Sequence, residues 1–333
     1  PRSTQAKTLF PYTTLFRSTA VSSESISGGT ELLKIIDLIS QQNPLQKKRI
    51  NKFLQTQKKE YWDFAEDLSS ILNHSFLTDD DSRRQAALAY NKMCMDFLKE
   101  QIRFRKTGVY RINDASVAVE QVYGDMNVMR YYMVGLLISY LFWPNHYELF
   151  RFFKNNLPDA DRIKSYLEVG VGHGLFTSNM LKQYPGISAK AVDISETSIK
   201  TTKEILKTFQ VEVGNIDFIH GDYLSLNFQE SGFDFIIMGE VLEHVNNAPE
   251  FMARTKKLLN RGGSIYISTC ANSPALDHVY HFKSAEEIRE LITSHGFKIV
   301  RDLALPAEDV PPERWASELT TINYCALLEH SDA

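Results

Sequence analysis

The 333 residues exceed what one ordinary compact core holds and suit a main domain beside a helper. With 37 Lys and Arg against 41 Asp and Glu, the formal charge of -4 gives no general attraction to phosphate polymers or anionic lipid, which argues against a broad nucleic-acid footprint. The longest apolar stretch, YYMVGLLISYLFW at 131–143, is shorter than the roughly 20 residues a membrane-spanning helix needs, so it reads as a buried helix and no membrane span is expected. Cys94, Cys270 and Cys325 are far apart and lack a C-x-x-C spacing; they read as buried, reduced thiols in a cytoplasmic protein.

In chain order, the first 30 residues stand apart. TLFPYTTLFRS at 8–18 has neither a helical nor a strand period and no signal-peptide layout. It resembles the conceptual translation of a sequencing-library adapter, so residues 1–30 read as an assembly artefact or a disordered tail. Residues 31–155 are predicted to be all-helical. Leu32, Ile35, Ile36 and Ile39 repeat at the 3.6 period, as do Phe53, Tyr61, Phe64, Leu68 and Ile71. Thr78 three positions before Asp81 predicts a capping box opening the next helix, which puts Tyr90, Cys94, Phe97, Leu98 and Ile102 on one face. The helices of 119–153 are apolar over most of their surface and must pack on several sides, with Pro144 breaking the run. Trp143, His146 and Tyr147 could line a pocket, although aromatic residues at helical spacing favour core.

From Ser165 the period changes. Strands at 165–170, 188–194, 216–220, 233–238, 264–269 and 297–304 alternate with helices at 175–184, 196–209, 248–259 and 284–295. TINYCALLEH follows a Pro-rich connection without a helix, which predicts a final antiparallel strand. The expected fold is α/β, a Rossmann-like, seven-stranded, doubly wound sheet behind an N-terminal all-helical domain.

The first strand runs into YLEVGVGHGLF at 166–176. Strand, Gly-rich turn and helix in succession put backbone N–H groups where such sheets bind nucleotides. A dinucleotide fingerprint reads G-x-G-x-x-G, whereas Gly170, Gly172 and Gly174 read G-x-G-x-G, and Glu168 stands just ahead of them. A carboxylate there repels phosphate but helps hold a ligand that carries positive charge.

LEVGVGHG resembles motif I of the class I S-adenosylmethionine (SAM)-dependent methyltransferases, and later stations agree in order and spacing. Asp193, in KAVDIS, stands where a ribose diol would lie, with Ile194 next to it. HGDY at 220–223 brings Asp222, which the resemblance assigns to the adenine amine, and Tyr223, assigned to the ring. FDFIIMGEVLEHV at 233–245 resembles the fourth-strand motif and contributes Gly239 and Glu240, and LLNRGGSIYIS resembles the turn into the fifth strand. The resemblance covers about 156–333, so 156–333 is taken as the SAM-binding methyltransferase domain and 31–155 as a lid or homodimerisation domain. Taken singly, Gly174 also suits close helix packing, Asp193 a helix N-terminal acid and Tyr223 core.

Glu240, Glu243 and His244 lie at i, i+3 and i+4, so a helical turn would put them on one face, and His278 and His281 follow the fifth strand. E-x-x-E-H with a later His resembles the divalent-metal cluster of small-RNA 2'-O-methyltransferases and ubiquinone-pathway O-methyltransferases. That implies Glu240, Glu243, His244 and His278 as ligands of Mg, Mn or Zn. LEHV is also frequent among metal-free relatives, where the acid and His are structural or act directly; in the latter case His278 or His244, with Glu240, becomes the acid–base apparatus. The catalytic His motif of plant-type O-methyltransferases is absent. The resemblance implies an enzyme of secondary metabolism that methylates an oxygen of a small, aromatic or carrier-bound acceptor. C- or N-methylation and a non-catalytic SAM-binding scaffold are the alternatives.

Overall fold

Breaks in the apolar periodicity of the first half become helix boundaries. The computed structural model describes residues 30–75, 77–208, 216–228 and 232–331; the adapter-like segment lies outside them. Four helices come first: α1 (Thr30–Gln42), α2 (Pro44–Leu54), α3 (Lys59–Ser75) and α4 (Asp80–Thr107). Pro44 opens α2, where its missing N–H costs nothing, and the Asn43 side chain accepts from the Leu45 and Gln46 amides. The capping box of α4 lies one residue beyond the expected one. Asp79 accepts from the Ser82 amide, and the Ser82 hydroxyl accepts from the Asp79 amide, so the reciprocal pair is Asp79 and Ser82 rather than Thr78 and Asp81.

After α4 come α5 (Ala115–Ala118), a π-helical turn (Val119–Tyr123), α6 (Met126–Phe142) and α7 (Pro144–Asn155). Pro144 therefore starts a helix as well as ending the previous run. Gly135 lets α6 lie close on α4: a Cβ there would meet the Met93 Sδ at 2.9 Å and the Ala89 carbonyl oxygen at 3.4 Å. Cys94, Cys270 and Cys325 are buried and free.

The sheet has seven strands in the order β3-β2-β1-β4-β5-β7-β6. They are β1 (Ser165–Val169), β2 (Ser188–Asp193), β3 (Ile216–His220), β4 (Phe233–Gly239), β5 (Leu259–Ala271), β6 (Phe297–Pro306) and β7 (Ile322–His330). The first five pair in parallel, while β7 runs antiparallel between β5 and β6, as its helix-free connection predicts. The order reverses between β1 and β4, and in doubly wound sheets a crevice opens there at the strand carboxyl ends.

Period-two alternation in β4 divides the core. Phe235 and Ile237 join one cluster, with α8 (Leu175–Gln183), α9 (Glu196–Thr208) and the N-terminal helices; Ile236 and Met238 join the other, with α10 (Ala248–Leu258) and α11 (Ala285–Ser294). The first cluster is continuous from Leu32 and Tyr61 through Leu137 and Phe153 to Phe176 and Tyr266. Hence the helical half and one face of the sheet share a single apolar interior.

Candidate active site

The chain leaves β1 with Gly170, Gly172 and Gly174 all at positive φ, 75°, 50° and 74°. At Gly174 a Cβ would also lie 2.8 Å from the Thr202 Cγ2 of α9, so glycine lets α8 start against α9. At Gly172 a Cβ would meet nothing within 4 Å, so there the demand is on the backbone alone and the turn faces open space. Of the first amides of α8, that of Leu175 donates to the His173 Nδ1 at 3.3 Å and that of Thr177 to the Glu168 carboxylate, so the helix start is tied to the turn and to the acid beneath it.

Acids surround the turn. Asp193, at the end of β2, accepts from the Gly172 amide at 3.1 Å and the Ser195 amide at 2.7 Å, and burial pushes its pKa up to about 6. Glu168 lies beneath the turn, its carboxylate bonded to the Tyr166 and Thr177 hydroxyls, and burial pushes it up to about 7. Ile194 beside Asp193 is 43% exposed, unusual for isoleucine, and thus offers an apolar wall at the β2 end. Asp222 is exposed and caps its own turn through the Leu224 amide and the Ser225 hydroxyl.

A second set of polar groups gathers past β4 and β5. Gly239 ends β4, and Glu240 follows with φ 54°, its amide held by the Ser268 carbonyl at 2.9 Å. The left-handed residue sharpens the turn, and a short 3-10 turn (Leu242–His244) comes next, so Glu240 stands outside the helical turn expected to carry it. His278 arrives because the Val279 and Tyr280 amides both donate to the Glu243 carbonyl, at 2.7 and 2.9 Å. One ligand atom from each of Glu243, His244 and His278 lies within 4.8 Å of the others, and the same holds for Glu240, Glu243 and Cys270. The rings of His244 and His278 meet edge to face at 4.7 Å.

The donor set is poised as a metal site would be. The His278 Nδ1 lies 2.5 Å from the Ser273 carbonyl, which only accepts, so the proton is on Nδ1 and the lone pair on Nε2. The His244 Nδ1 faces the Asp277 carbonyl at 3.2 Å, leaving its Nε2 turned toward a Glu243 carboxylate oxygen at 4.0 Å. Burial and the neighbouring His244 push the His278 pKa down to about 4, keeping it neutral. Burial raises the pKa values of both Glu240 and Glu243, and the neighbouring Glu240 charge raises that of Glu243 further. The buried Glu240 Oε1 has no hydrogen-bond partner, and among the described residues neither carboxylate is ion-paired with a Lys or Arg. Two carboxylates and two imidazoles that lack a countercharge suit a divalent cation.

Residues 167–267 match a protein family described as Methyltransferase domain. Residues 167–267 are a methyltransferase domain. It is 27% identical over 142 residues to a malonyl-[acyl-carrier protein] O-methyltransferase of Paenibacillus sp. (strain JDR-2), covering 40% of this chain and 49% of that protein. It is 28% identical over 164 residues to a norajmaline N-methyltransferase of Rauvolfia serpentina, covering 46% of this chain and 55% of the relative. The chain thus spans about half the length of the curated relatives it matches. Among solved structures, the N-methyltransferase NodS from Bradyrhizobium japonicum, in complex with S-adenosylhomocysteine, aligns at a TM-score of 0.45 and 15% identity over 65% of this chain and 98% of that one.

The methyltransferase domain departs from the sequence reading at Tyr223. Its ring is buried against Phe251 and Phe228, and its hydroxyl is bonded to Thr255, so it faces the α10 core and not the crevice. The apolar surface available at that end is Ile194. His281 also turns away, stacked on Tyr110 and bonded to the Asn272 side chain. Tyr147 is core, and Trp143 donates to the Tyr90 hydroxyl. His146 is bonded to the Ser139 hydroxyl and packs on Tyr140, which in turn meets His173 of the glycine turn, so helix α6 covers that turn.

Three residues absent from the sequence reading border the cluster. Asp277, 1% exposed, accepts from Tyr132 at 2.9 Å and Tyr123 at 3.1 Å, and Tyr123 also lies 3.0 Å from the His244 Nδ1. The available signal was the acid directly before His278. The tyrosines gave none, being 154 and 145 residues away from it.

Proposed function

We propose that this protein is a SAM-dependent methyltransferase that acts on an oxygen of a small acceptor, aromatic or carrier-bound. The observation that carries the oxygen preference is the pair of groups that share Glu243, one with His244 and His278 and one with Glu240 and Cys270, because an alcohol, phenol or carboxyl acceptor must lose its proton to become nucleophilic, whereas a neutral amine need not. O-methyltransferase names among the relatives support the same choice.

In this reading the glycine turn takes the donor's backbone, Asp193 the ribose, and Ile194 and Asp222 the adenine. Glu168 contributes negative charge from beneath the turn, where a neighbouring sulfonium would favour its ionised form. SAM brings a methyl group on a leaving group that is already activated, so the protein's work is chiefly alignment of the acceptor. A divalent ion, Mg, Mn or Zn, held by Glu240, Glu243 and the free Nε2 atoms of His244 and His278, would grip the acceptor oxygen and lower its pKa. As the C–S bond breaks and the O–C bond forms, the acceptor's proton passes to a carboxylate oxygen of Glu240 or Glu243, the imidazole lone pairs being the ones that would hold the ion. Helix α6 touches the turn through Tyr140, and the continuous core beneath it supports a lid role for the helical half over a dimerisation arm.

A labelled-methyl assay with SAM against matched phenol, carboxylate and amine acceptors, with and without a chelator, tests this reading. Labelled ester or ether that disappears with the chelator supports it. Labelled amine that is indifferent to the chelator overturns both the oxygen preference and the metal, and SAM binding with no labelled product in any arm, including the producing cell's extract, favours a scaffold.

A further inference from the structure

The polar cluster belongs to the sheet, but its least expected contacts come from the helical half. The His244 Nδ1 is surrounded by acceptors: the Asp277 carbonyl at 3.2 Å, an Asp277 carboxylate oxygen at 3.4 Å and the Tyr123 hydroxyl at 3.0 Å. Tyr123 gives its own proton to that carboxylate, at 3.1 Å, so its oxygen is left to accept from the imidazole. Tyr132 donates to the other carboxylate oxygen at 2.9 Å. Both oxygens of this buried side chain are thereby occupied by hydroxyls from the helical half. Tyr123 ends a π-helical turn, a widening that rotates the residues after it relative to an α-helix and recurs at functional sites.

We infer that Tyr123 and Tyr132 act through Asp277 as positioning residues for His244, so that the helical half completes a metal site whose ligands all come from the sheet half. This rests on the metal reading above. The chemistry is that of an outer shell: an Nδ1–H held by oxygen acceptors fixes the ring's tautomer and aim, and a carboxylate behind it makes Nε2 a better ligand. Without the two hydroxyls, Asp277 keeps its place in the chain but is free to rotate, and His244 loses the acceptor that came from outside its own sheet.

The test is titration of the whole chain with Co2+ alone, followed by its visible absorption, with SAM affinity measured on the same preparations by calorimetry. For Tyr123→Phe with Tyr132→Phe, which keep the ring packing, the expected result is a loss of at least about tenfold in Co2+ affinity and a shifted absorption band, with SAM affinity within about twofold of wild type. Asp277→Asn is expected to move Co2+ binding in the same direction. Coincident Co2+ isotherms and spectra for wild type and the tyrosine variant would overturn the inference and leave the metal reading standing. A wild-type chain that binds no Co2+ would overturn both, and equal losses of Co2+ and SAM affinity would reassign the tyrosines to general packing.

Discussion

The two ends of the crevice are built differently. At the carboxyl ends of β2 and β3 the groups are exposed or supplied by backbone: Ile194 is 43% exposed, Asp222 faces solvent, and Asp193 is held by two main-chain amides. At the carboxyl ends of β4 and β5 the groups are buried or half-buried side chains, and the helical half closes over them through Tyr123 and Tyr132. The open end depends on a turn and a few strand tips, which lie within the span matched by the family, residues 167–267. The closed end adds His278, Asp277, Tyr123 and Tyr132 from outside that span, so it is where this chain can be particular about what it accepts.

The comparison breaks most visibly at Glu243. Glu243→Gln should cut turnover by at least about a hundredfold while SAM affinity stays within about twofold, as a steady-state assay paired with calorimetry would record. Equal losses in both would mean that the two ends are not separable. Gly174→Ala comes next. A Cβ at φ 74° and 2.8 Å from Thr202 should lower unfolding stability by about 2 kcal/mol, measured by denaturant titration, and weaken SAM binding as the turn shifts.

A third expectation concerns His146 of α7, which packs on Tyr140 behind the contact with the turn. Burial pushes the His146 pKa down to about 3 from an ordinary value of 6.5, so the folded chain refuses a proton that the unfolded chain takes up. Its contribution to stability is present above pH 6.5 and falls away as the pH drops toward 3. The buried acids Glu168 and Asp193, with raised pKa values, act with the opposite sign, so the informative quantity is a difference. Between pH 7 and 5, His146→Gln should lose about 1 to 2 kcal/mol less than wild type, read from unfolding curves at each pH. The smallest effect belongs to the open end: Ile194→Ala should weaken SAM binding about fivefold, for roughly 1 kcal/mol of lost apolar contact, and leave turnover at saturating SAM unchanged.

Much of this architecture could be read before the fold was known, for reasons that separate its parts. Strands buried on both faces write long apolar runs, and a glycine turn between strand and helix is local, so β1, the turn and the antiparallel β7 were legible. The cap of α4 missed by one residue because Thr78 and Asp79 are both good capping residues and only geometry chooses between them. Tyr223 was misjudged because its place at a strand end does not say which way the ring turns; here Phe251 and Thr255 of α10 draw it inward. Glu240 was expected on a helical turn, yet it reaches Glu243 from a left-handed residue, which a residue-spacing rule does not foresee. Asp277 with Tyr123 and Tyr132 lay beyond reach, since nothing in the sequence joins a π-helical turn to a loop more than a hundred residues later.

The central claim is that donor and acceptor occupy separate ends of one crevice. Calorimetric titration of SAM into the wild type, Asp193→Ala and Glu243→Ala tests it most directly. The account predicts a loss of about thirtyfold or more in Asp193→Ala, where a buried hydrogen-bonding carboxylate is removed, and near wild-type affinity in Glu243→Ala. Wild-type affinity in Asp193→Ala together with a large loss in Glu243→Ala would contradict it.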